Sequence, residues 1–569
     1  MLNSCPAYGT PISLKQQPFN PALTTVLDFY STTNEPPSSV DSRVVREEIT
    51  RLQAGIATVD EGIAKIKRLQ TRLEELIQEK RRMENQLQSF RPLTHPIRRL
   101  PNEALTRIFR FCVEVEGPKD VWAYTNPNDL SEVDMVDLKS RHASQYPGSL
   151  NTRNSPWKVG QVCKRWRSLV SSLPQLWTYI DLNWDSIAEI HPNVASFLAL
   201  QLQRSEGKLL SVSLFSYSND GTPRSFNDTL MKMVCASSNR WLEASIRVDA
   251  IGLLLLSPFR GTFSKLESLH LHLLSSGNGW PGLDDQSQKS LFNVFDITPA
   301  LNQLVLSGDF VPLLNIPVQF PWLQITTYIS RDYGAWYRDY DDHFNLLPKM
   351  TNLEKCFLDL AVPDDPDPSL PETPHLIFPN LRTLVLRNAH VEGRSAFEPV
   401  LKWLTLPALK KLRLTKNFDT PKSLLAFMTR SSCSLLELSI LDHHISDPVV
   451  TRILKADCFR GLERLELGGV TDAILQCLRI RGGAGLLVSL RCLVLCGTKR
   501  WSSRVLLHVV RSRNHVVGPH MQPLRDLVLQ NVVSEGENAI EDPEIMKGLQ
   551  AVCQVKVRWI SEVKSRYWF

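Results

Sequence analysis

The stretch FPNLRTLVLRN, residues 378–388, sets the pattern for the larger, C-terminal part of this chain. In it Leu381, Leu384 and Leu386 stand in the order Leu-x-x-Leu-x-Leu, and LPALKKLRLTKN, residues 406–417, repeats that order with Leu409, Leu412 and Leu414. Alternate residues of a strand share a face, so Leu384 and Leu386 point one way and Val385 and Arg387 the other, while Leu381 turns in beside the first pair. One such strand cannot bury its leucines alone, and a neighbour must supply the next layer. The chain supplies many. The triplet recurs as Trp177/Ile180/Leu182, Leu209/Val212/Leu214, Leu266/Leu269/Leu271, Leu301/Leu304/Leu306, Leu353/Cys356/Leu358, Leu435/Leu438/Ile440, Leu462/Leu465/Leu467, Leu490/Leu493/Leu495 and Leu524/Leu527/Leu529. From Leu353 to Leu490 its first positions are 28, 28, 26, 27 and 28 residues apart.

That period and pattern resemble leucine-rich repeats, in degenerate form because the Asn that usually follows the third Leu is mostly missing. The resemblance implies a solenoid with a mainly parallel sheet inside and short helices outside. Ser423–Thr429 and Val450–Leu454 have the helical spacing for that outer layer. Before Leu353 the spacing is uneven, and Trp241–Val248 reads as a weak further repeat. Leu384, Leu412 and Leu465 are expected in the core, whereas Arg413 is expected outside it and tolerant of change. The solvent-facing, concave positions are expected to include Lys355, Phe357, Asp359, Arg387, Lys411, Arg413, Glu437, Arg464, Glu466 and Asp526. Charges of both signs with an occasional aromatic suit a protein partner better than a polyanion. Two insertions, DYGAWYRDYDD (332–342) and PDDPDPSLPETP (363–374), interrupt the array and are candidate binding loops.

Upstream lie two short amphipathic segments, HPIRRLPNEALTRIFRFC (95–112) and SPWKVGQVCKRWRSLVSSLPQLW (155–177). In the first, Leu100-Pro101 precedes a helical run with apolar residues at Leu105, Ile108, Phe109 and Cys112, the spacing of one helix face. In the second, Val159, Val162, Cys163, Trp166, Leu169 and Val170 repeat that spacing. Neither segment is long enough to be a stable helix alone. The arrangement of Leu100-Pro101, Glu103, Ile108-Phe109, Val162-Cys163, Trp166 and Leu176-Trp177 resembles the F-box, the adaptor-binding module of cullin-RING ubiquitin-ligase substrate receptors. The match covers two blocks separated by an inserted loop, 113–154, longer than the family's usual turn. The resemblance implies that Leu100, Pro101, Ile108, Phe109, Val162, Cys163 and Trp166 bind a Skp-type adaptor and, through it, a cullin. It also implies that the repeats bind a protein substrate, with Lys355, Phe357, Asp359, Arg387, Lys411, Arg413, Glu437 and Glu466 as candidate contacts. A scaffold without a ligase role, using the same parts only for assembly, is the alternative reading.

Between these blocks and the N-terminus, apolar residues from Ile49 to Leu87 fall at alternating steps of three and four, a heptad of twelve core positions. Three of the twelve are polar: Gln70, Lys80 and Glu84. A second apolar line at Leu69, Leu76, Met83 and Phe90 joins the seam in its C-terminal half. Gly55 and Gly62 flank it and each lowers helix propensity by about 1 kcal/mol. A coiled-coil helix over 42–91 is expected, broken by Pro92 and pairing as a parallel homodimer, with Gln70 fixing register; folding back onto the same chain is the competing outcome. Residues 1–41, rich in Pro, Ser, Thr and Asn, are expected to be disordered.

The fold expected is therefore α/β: a disordered segment (1–41), a coiled-coil helix (42–91), a small helical F-box-like module (92–177) and a leucine-rich-repeat-like solenoid (178–569). At 569 residues and 43% hydrophobic content the chain holds several units, and most of it can fold. The net charge is only +6, and residues 41–112, with fifteen Lys/Arg against ten Asp/Glu, hold most of the excess. That is too weak a basic signature for nucleic acid. The eleven cysteines form no CxxC pair or Cys/His cluster of metal spacing and read as free thiols of a reducing compartment. His270 and His272 lack an identifiable third ligand, His443-His444 reads as a surface turn, and no phosphate loop or GxSxG elbow occurs. The sequence points to no enzyme, metal or cofactor, to no membrane segment, and to a cytoplasmic or nuclear location.

Overall fold

The computed structural model describes residues 21–33, 35–116, 149–150, 152, 154–183, 193–215, 228–248, 250–273, 293–308, 319–331, 345–360, 375–388, 397–415, 418, 420–442, 445–480, 485–498, 501–515, 522–533 and 542–558. Both insertions, 332–342 and 363–374, and His443-His444 lie outside these residues. The chain divides into two units, Met1–Asn102 and Glu103–Phe569.

The first unit is helical. Residues 21–33, expected to lack order, form helix α1 (Pro21–Thr33), which buries Leu23. The Tyr30 hydroxyl donates to Asp41 Oδ2 (2.9 Å) and accepts from the Ser38 N–H (3.0 Å). Ser38 in turn caps α2 (Ser39–Thr94), its Oγ accepting from the Asp41 N–H at 3.1 Å. The hydrogen bonds from Ser38 and Tyr30 lower the pKa of the Asp41 carboxyl. With 56 residues α2 runs about 84 Å at 1.5 Å per residue. It carries intrahelical pairs Arg51–Glu48, Arg72–Glu75 (2.7 Å), Arg82–Glu79 (3.7 Å) and Lys80–Glu84 (3.8 Å). It continues past Pro92 to Thr94, because a proline in a last turn forfeits a single ladder bond.

The second unit is built on strands. Among the described residues these are β1 (Tyr179–Asn183), β2 (Leu210–Phe215), β3 (Trp241–Val248), β4 (Ser268–Leu273), β5 (Gln303–Gly308), β6 (Thr327–Arg331), β7 (Lys355–Leu360), β8 (Leu376–Ile377), β9 (Thr383–Asn388), β10 (Leu404–Thr405), β11 (Lys411–Thr415), β12 (Glu437–Leu441), β13 (Arg464–Gly468), β14 (Cys492–Thr498), β15 (Asp526–Val533) and β16 (Gln554–Arg558). Fourteen make one parallel sheet in sequence order, while β8 and β10 pair separately. The register aligns the second leucine of every triplet, so Cys356, Leu384, Leu412, Leu438, Leu465 and Leu493 form one buried row.

The residues just before each strand explain why the stacking is so regular. The carbonyl of Arg382 accepts the N–H groups of both Lys410 and Lys411 (2.9 Å each), and Lys410 O accepts those of Leu436 (2.8 Å) and Glu437 (3.0 Å). The same double acceptance continues at Leu436, Glu463 and Arg491. From β5 to β15 each strand of the large sheet thus hands two donors to the carbonyl that precedes the neighbouring strand.

Outer helices close the other side of the core. Pro421–Ser431 begins with Pro at its first position and ends on Ser432 in the left-handed region, and Asp447–Leu454 follows one repeat later. Both extend the helical segments read from sequence by a few residues. Arginines tie the carbonyls at helix ends to the next repeat. Arg513, 2% exposed, donates to Leu478 O (2.8 Å), Leu486 O (2.7 Å) and Leu487 O (3.1 Å). Its burial lowers its pKa to about 10, and three acceptors compensate the cation. Arg430 does the same for Leu401 and Leu404.

Three strands of the large sheet exceed the eleven triplets. β3 is the weak repeat at Trp241–Val248, with Ala244 in the leucine row. β6 uses Ile325, Tyr328 and Ser330 as its buried triplet. β16 follows Val552, Val555 and Val557.

Candidate protein-interaction surfaces

The Leu-Pro element ends the first unit. A 3-10 turn, Pro96–Arg99, is capped by His95, whose Nδ1 accepts from the Ile97 N–H at 3.2 Å. Leu100 is half-buried and Pro101 exposed.

Helix α3 (Asn102–Glu116), which but for Asn102 belongs to the second unit, buries Leu105 and Phe109, while α4 (Trp157–Gln161) and α5 (Lys164–Ser171) pack against each other. Cys163 caps α5, its Sγ accepting from the Trp166 N–H at 3.5 Å. The rings of Phe109 and Trp166 lie 4.9 Å apart. This corrects the expectation for Phe109: at 1% exposure it holds helices together and is unavailable to a partner. Trp166 is half-buried in the same packing. Ile108 (39% exposed) and Val162 (60%) do face outward, as does Cys163. Phe111, at 65%, was missed. Its place one turn after Ile108 is the signal that could have found it, since residues three apart share a helix face.

An aromatic cluster joins α4 to the segment leading into β1 and to the helix Val194–Arg204. Trp157 packs edge-on to Trp177 (4.8 Å) and Phe197 (5.4 Å), and the Arg204 guanidinium lies 4.5 Å from the Trp177 ring. Trp157 Nε1 donates to Ser149 O (2.9 Å) and Trp177 Nε1 to Val170 O (3.0 Å).

The second surface is the sheet face turned away from the core. Its middle row falls into blocks by register. Val305, Ile329, Phe357 and Val385 are successive partners and form an apolar cluster of their own. Beyond them come Arg413, Ser439 and Glu466. In the flanking rows, Arg387 grips Asp359 with two hydrogen bonds, the first from Nε to Oδ1 at 2.7 Å. Lys411 meets Glu437 at 2.8 Å, Lys556 meets Asp526 at 3.0 Å, and Arg464 Nη1 donates to Cys492 Sγ at 3.1 Å.

Solvent exposure on this face is lower than the alternation alone suggested. Phe357 (6%), Asp359 (8%), Arg413 (8%) and Glu466 (7%) are buried. Strands about 4.8 Å apart let side chains of one row cover each other, and the charged ones close on partners. Glu466 accepts from the Ser439 hydroxyl (2.6 Å) and the Cys496 thiol (3.6 Å), and Arg413 Nη2 lies 3.6 Å away. Of the eight candidate contacts, Lys355 is exposed and Arg387, Lys411 and Glu437 are half-buried.

Chemistry on this face is subdued. Burial raises the pKa of the Cys496 thiol, as does nearby Glu466, and in the core behind the sheet burial raises that of Cys235 to about 12, so both stay protonated and poorly nucleophilic at neutral pH. His270 Nε2 and His272 Nδ1 both hydrogen-bond Ser307 Oγ, at 3.1 and 2.8 Å. Among the described residues no group of three His, Cys, Asp or Glu could hold a metal ion, and no helix is long and apolar enough to cross a membrane.

No protein-family profile matches the chain, and no curated protein does. Among solved structures, a chain of the crystal structure of the Rad7 and Elc1 complex in yeast is similar at 12% identity and a TM-score of 0.28, over 63% of this chain and 94% of that one. A likeness so distant assigns nothing.

Proposed function

We propose that this chain is a substrate-receptor subunit of an SCF-type cullin-RING ubiquitin ligase. Residues 92–177 act as an F-box that binds a Skp-type adaptor and through it a cullin, and the parallel sheet acts as a leucine-rich-repeat solenoid that holds a protein substrate. The observation that carries this reading is the exposure of Ile108, Phe111 and Val162 in the segments bearing the F-box-like pattern. Single exposed apolar residues are ordinary, but Ile108 and Phe111 on α3 and Val162 in the bend between α4 and α5 stand out where Leu105, Phe109, Trp157, Val159 and Val170 are buried, which suits a partner surface. Phe109 and Trp166 support that surface from beneath, and Leu100-Pro101 belongs to the same sequence pattern. On the sheet, Lys355, Arg387, Lys411 and Glu437 are the contacts proposed for the substrate. The work done is positional: substrate and ubiquitin-transfer machinery are held together, and this chain needs no reacting group.

Affinity purification of the full chain tests it. The chain should bring down adaptor and cullin together, and Ile108→Glu/Val162→Glu should lose both while the far-ultraviolet circular dichroism stays unchanged. Leu100→Ala/Pro101→Ala should behave likewise. Adaptor retained by both variants, or absent from the unaltered chain, would defeat the proposal and favour the scaffold reading.

A further inference from the structure

We propose that α2 pairs with α2 of a second copy of this chain, parallel and in register, through a seam that changes heptad phase once, between Ile66 and Leu69. The inference stands apart from the ligase reading and rests on the apolar stripe of α2.

From Ile49 to Ile66 the apolar positions step by 3, 4, 3, 4 and 3 residues; a second step of 3 reaches Leu69, and steps of 4, 3, 4, 3, 4 and 3 lead on to Phe90. Of these thirteen positions twelve are apolar and 44–62% exposed, and Lys80 is the exception. A single unbroken heptad would instead put Gln70, Lys80 and Glu84 in the seam and leave Leu69, Leu76, Met83 and Phe90 beside it. One extra step of three, which overwinds a coiled coil locally, restores an apolar seam with a single polar layer.

The winding identifies the occupant. A stripe repeating in fewer than 3.6 residues drifts around a straight helix in the sense that drives a left-handed supercoil, here over about 60 Å. Whatever covers it must be a long helix of the same pitch that overwinds at the same level. Another α2 meets both conditions by construction.

Lys80 then fixes direction and register. In the shifted phase it takes an a position, with Glu79 at g and Glu84 at e. A parallel, in-register pair sets the two lysines in one layer, each flanked by carboxylates of the partner. A lone polar a residue is the device by which coiled coils specify register. Turning one helix end for end about the middle of the stripe would set Lys80 against Val59 and Glu79 near Asp60, which removes that match.

The full chain tests this in two steps. Light scattering at micromolar concentration should return twice the 64.6 kDa chain mass; a monomeric or trimeric mass overturns the proposal. Oxidative cross-linking of Met83→Cys and Glu84→Cys, with the unaltered chain as control for native thiols, then reads the phase. Both positions are exposed on the helix, so both variants should fold. Position 83 lies in the shifted seam and should form covalent dimers at least severalfold faster than position 84, because a disulfide needs Cα atoms within about 7 Å. Faster linking at 84 overturns the phase change, and a dimer that links at neither overturns the parallel register.

Discussion

Arg413 and Glu466 stand two strands apart, with Ser439 between them on β12, and each side chain is only 9% exposed. Their placement on the face away from the core was legible, because Leu412 and Leu414 claim the other side of the strand. Their burial was not, since alternation says which side a residue takes and nothing about how neighbouring rows shield it. An ordinary surface arginine could be removed within about 0.5 kcal/mol. Here Arg413→Ala leaves the Glu466 carboxylate buried with only a hydroxyl and a thiol as donors. The expected cost is roughly 2–5 kcal/mol in chemical denaturation, with much of it recovered by adding Glu466→Gln. A cost within surface range would show the pair to be solvated. Phe109 teaches the same lesson in the helical segment. Its apolar character and spacing were visible, but choosing between it and Ile108 as the outward residue required knowing where Trp166 lies.

At the scale of elements, the sequence yielded those whose periodicity is strong. The long helix α2 follows from its heptads, and the repeats from Leu353 onward follow from leucines at constant spacing. β6 escaped because Tyr328 and Ser330 stand where the pattern asks for leucine, although both are buried. β16 escaped because valines replace the whole triplet. α1 escaped because composition dominated the reading of residues 1–41, whereas the Tyr30, Ser38 and Asp41 hydrogen bonds give this segment a local reason to order. Within α2, a Cβ added at Gly55 or Gly62 would meet nothing within 4 Å. Gly55→Ala and Gly62→Ala should therefore each stabilise the helix by about 0.5–1 kcal/mol. Slower amide exchange across residues 50–66 would register the gain. Both positions flank the proposed seam, so the mass expected of the proposed dimer should be unchanged, and an association loosened by either alanine would place them inside it.

At the scale of the whole molecule, the two sequence patterns reached different depths. The repeat pattern foretold one parallel sheet and the side of each strand that faces its core. The apolar spacing upstream foretold short helices, and the adaptor assay is the measure of the F-box-like reading of their outward residues. Neither pattern tells which side chains stay accessible, because the sheet face closes many of its charges on itself.

The strict sequence order of the sheet has a mechanical consequence. Every strand of the fourteen-stranded sheet is hydrogen-bonded only to its neighbours in that sheet, which run in chain order with the small β8–β10 pair set aside, so the second unit resists force as a zipper and not as a knot. Load applied at the β16 end should peel the sheet tooth by tooth. With β7 to β14 about one repeat apart at 26 to 28 residues, each tooth should release roughly 85–100 Å of chain at 3.3–3.6 Å per residue. Force spectroscopy on the chain held at its two ends should give a sawtooth of that spacing. A single rupture releasing all fourteen strands together would mean that the repeats are coupled beyond their nearest neighbours.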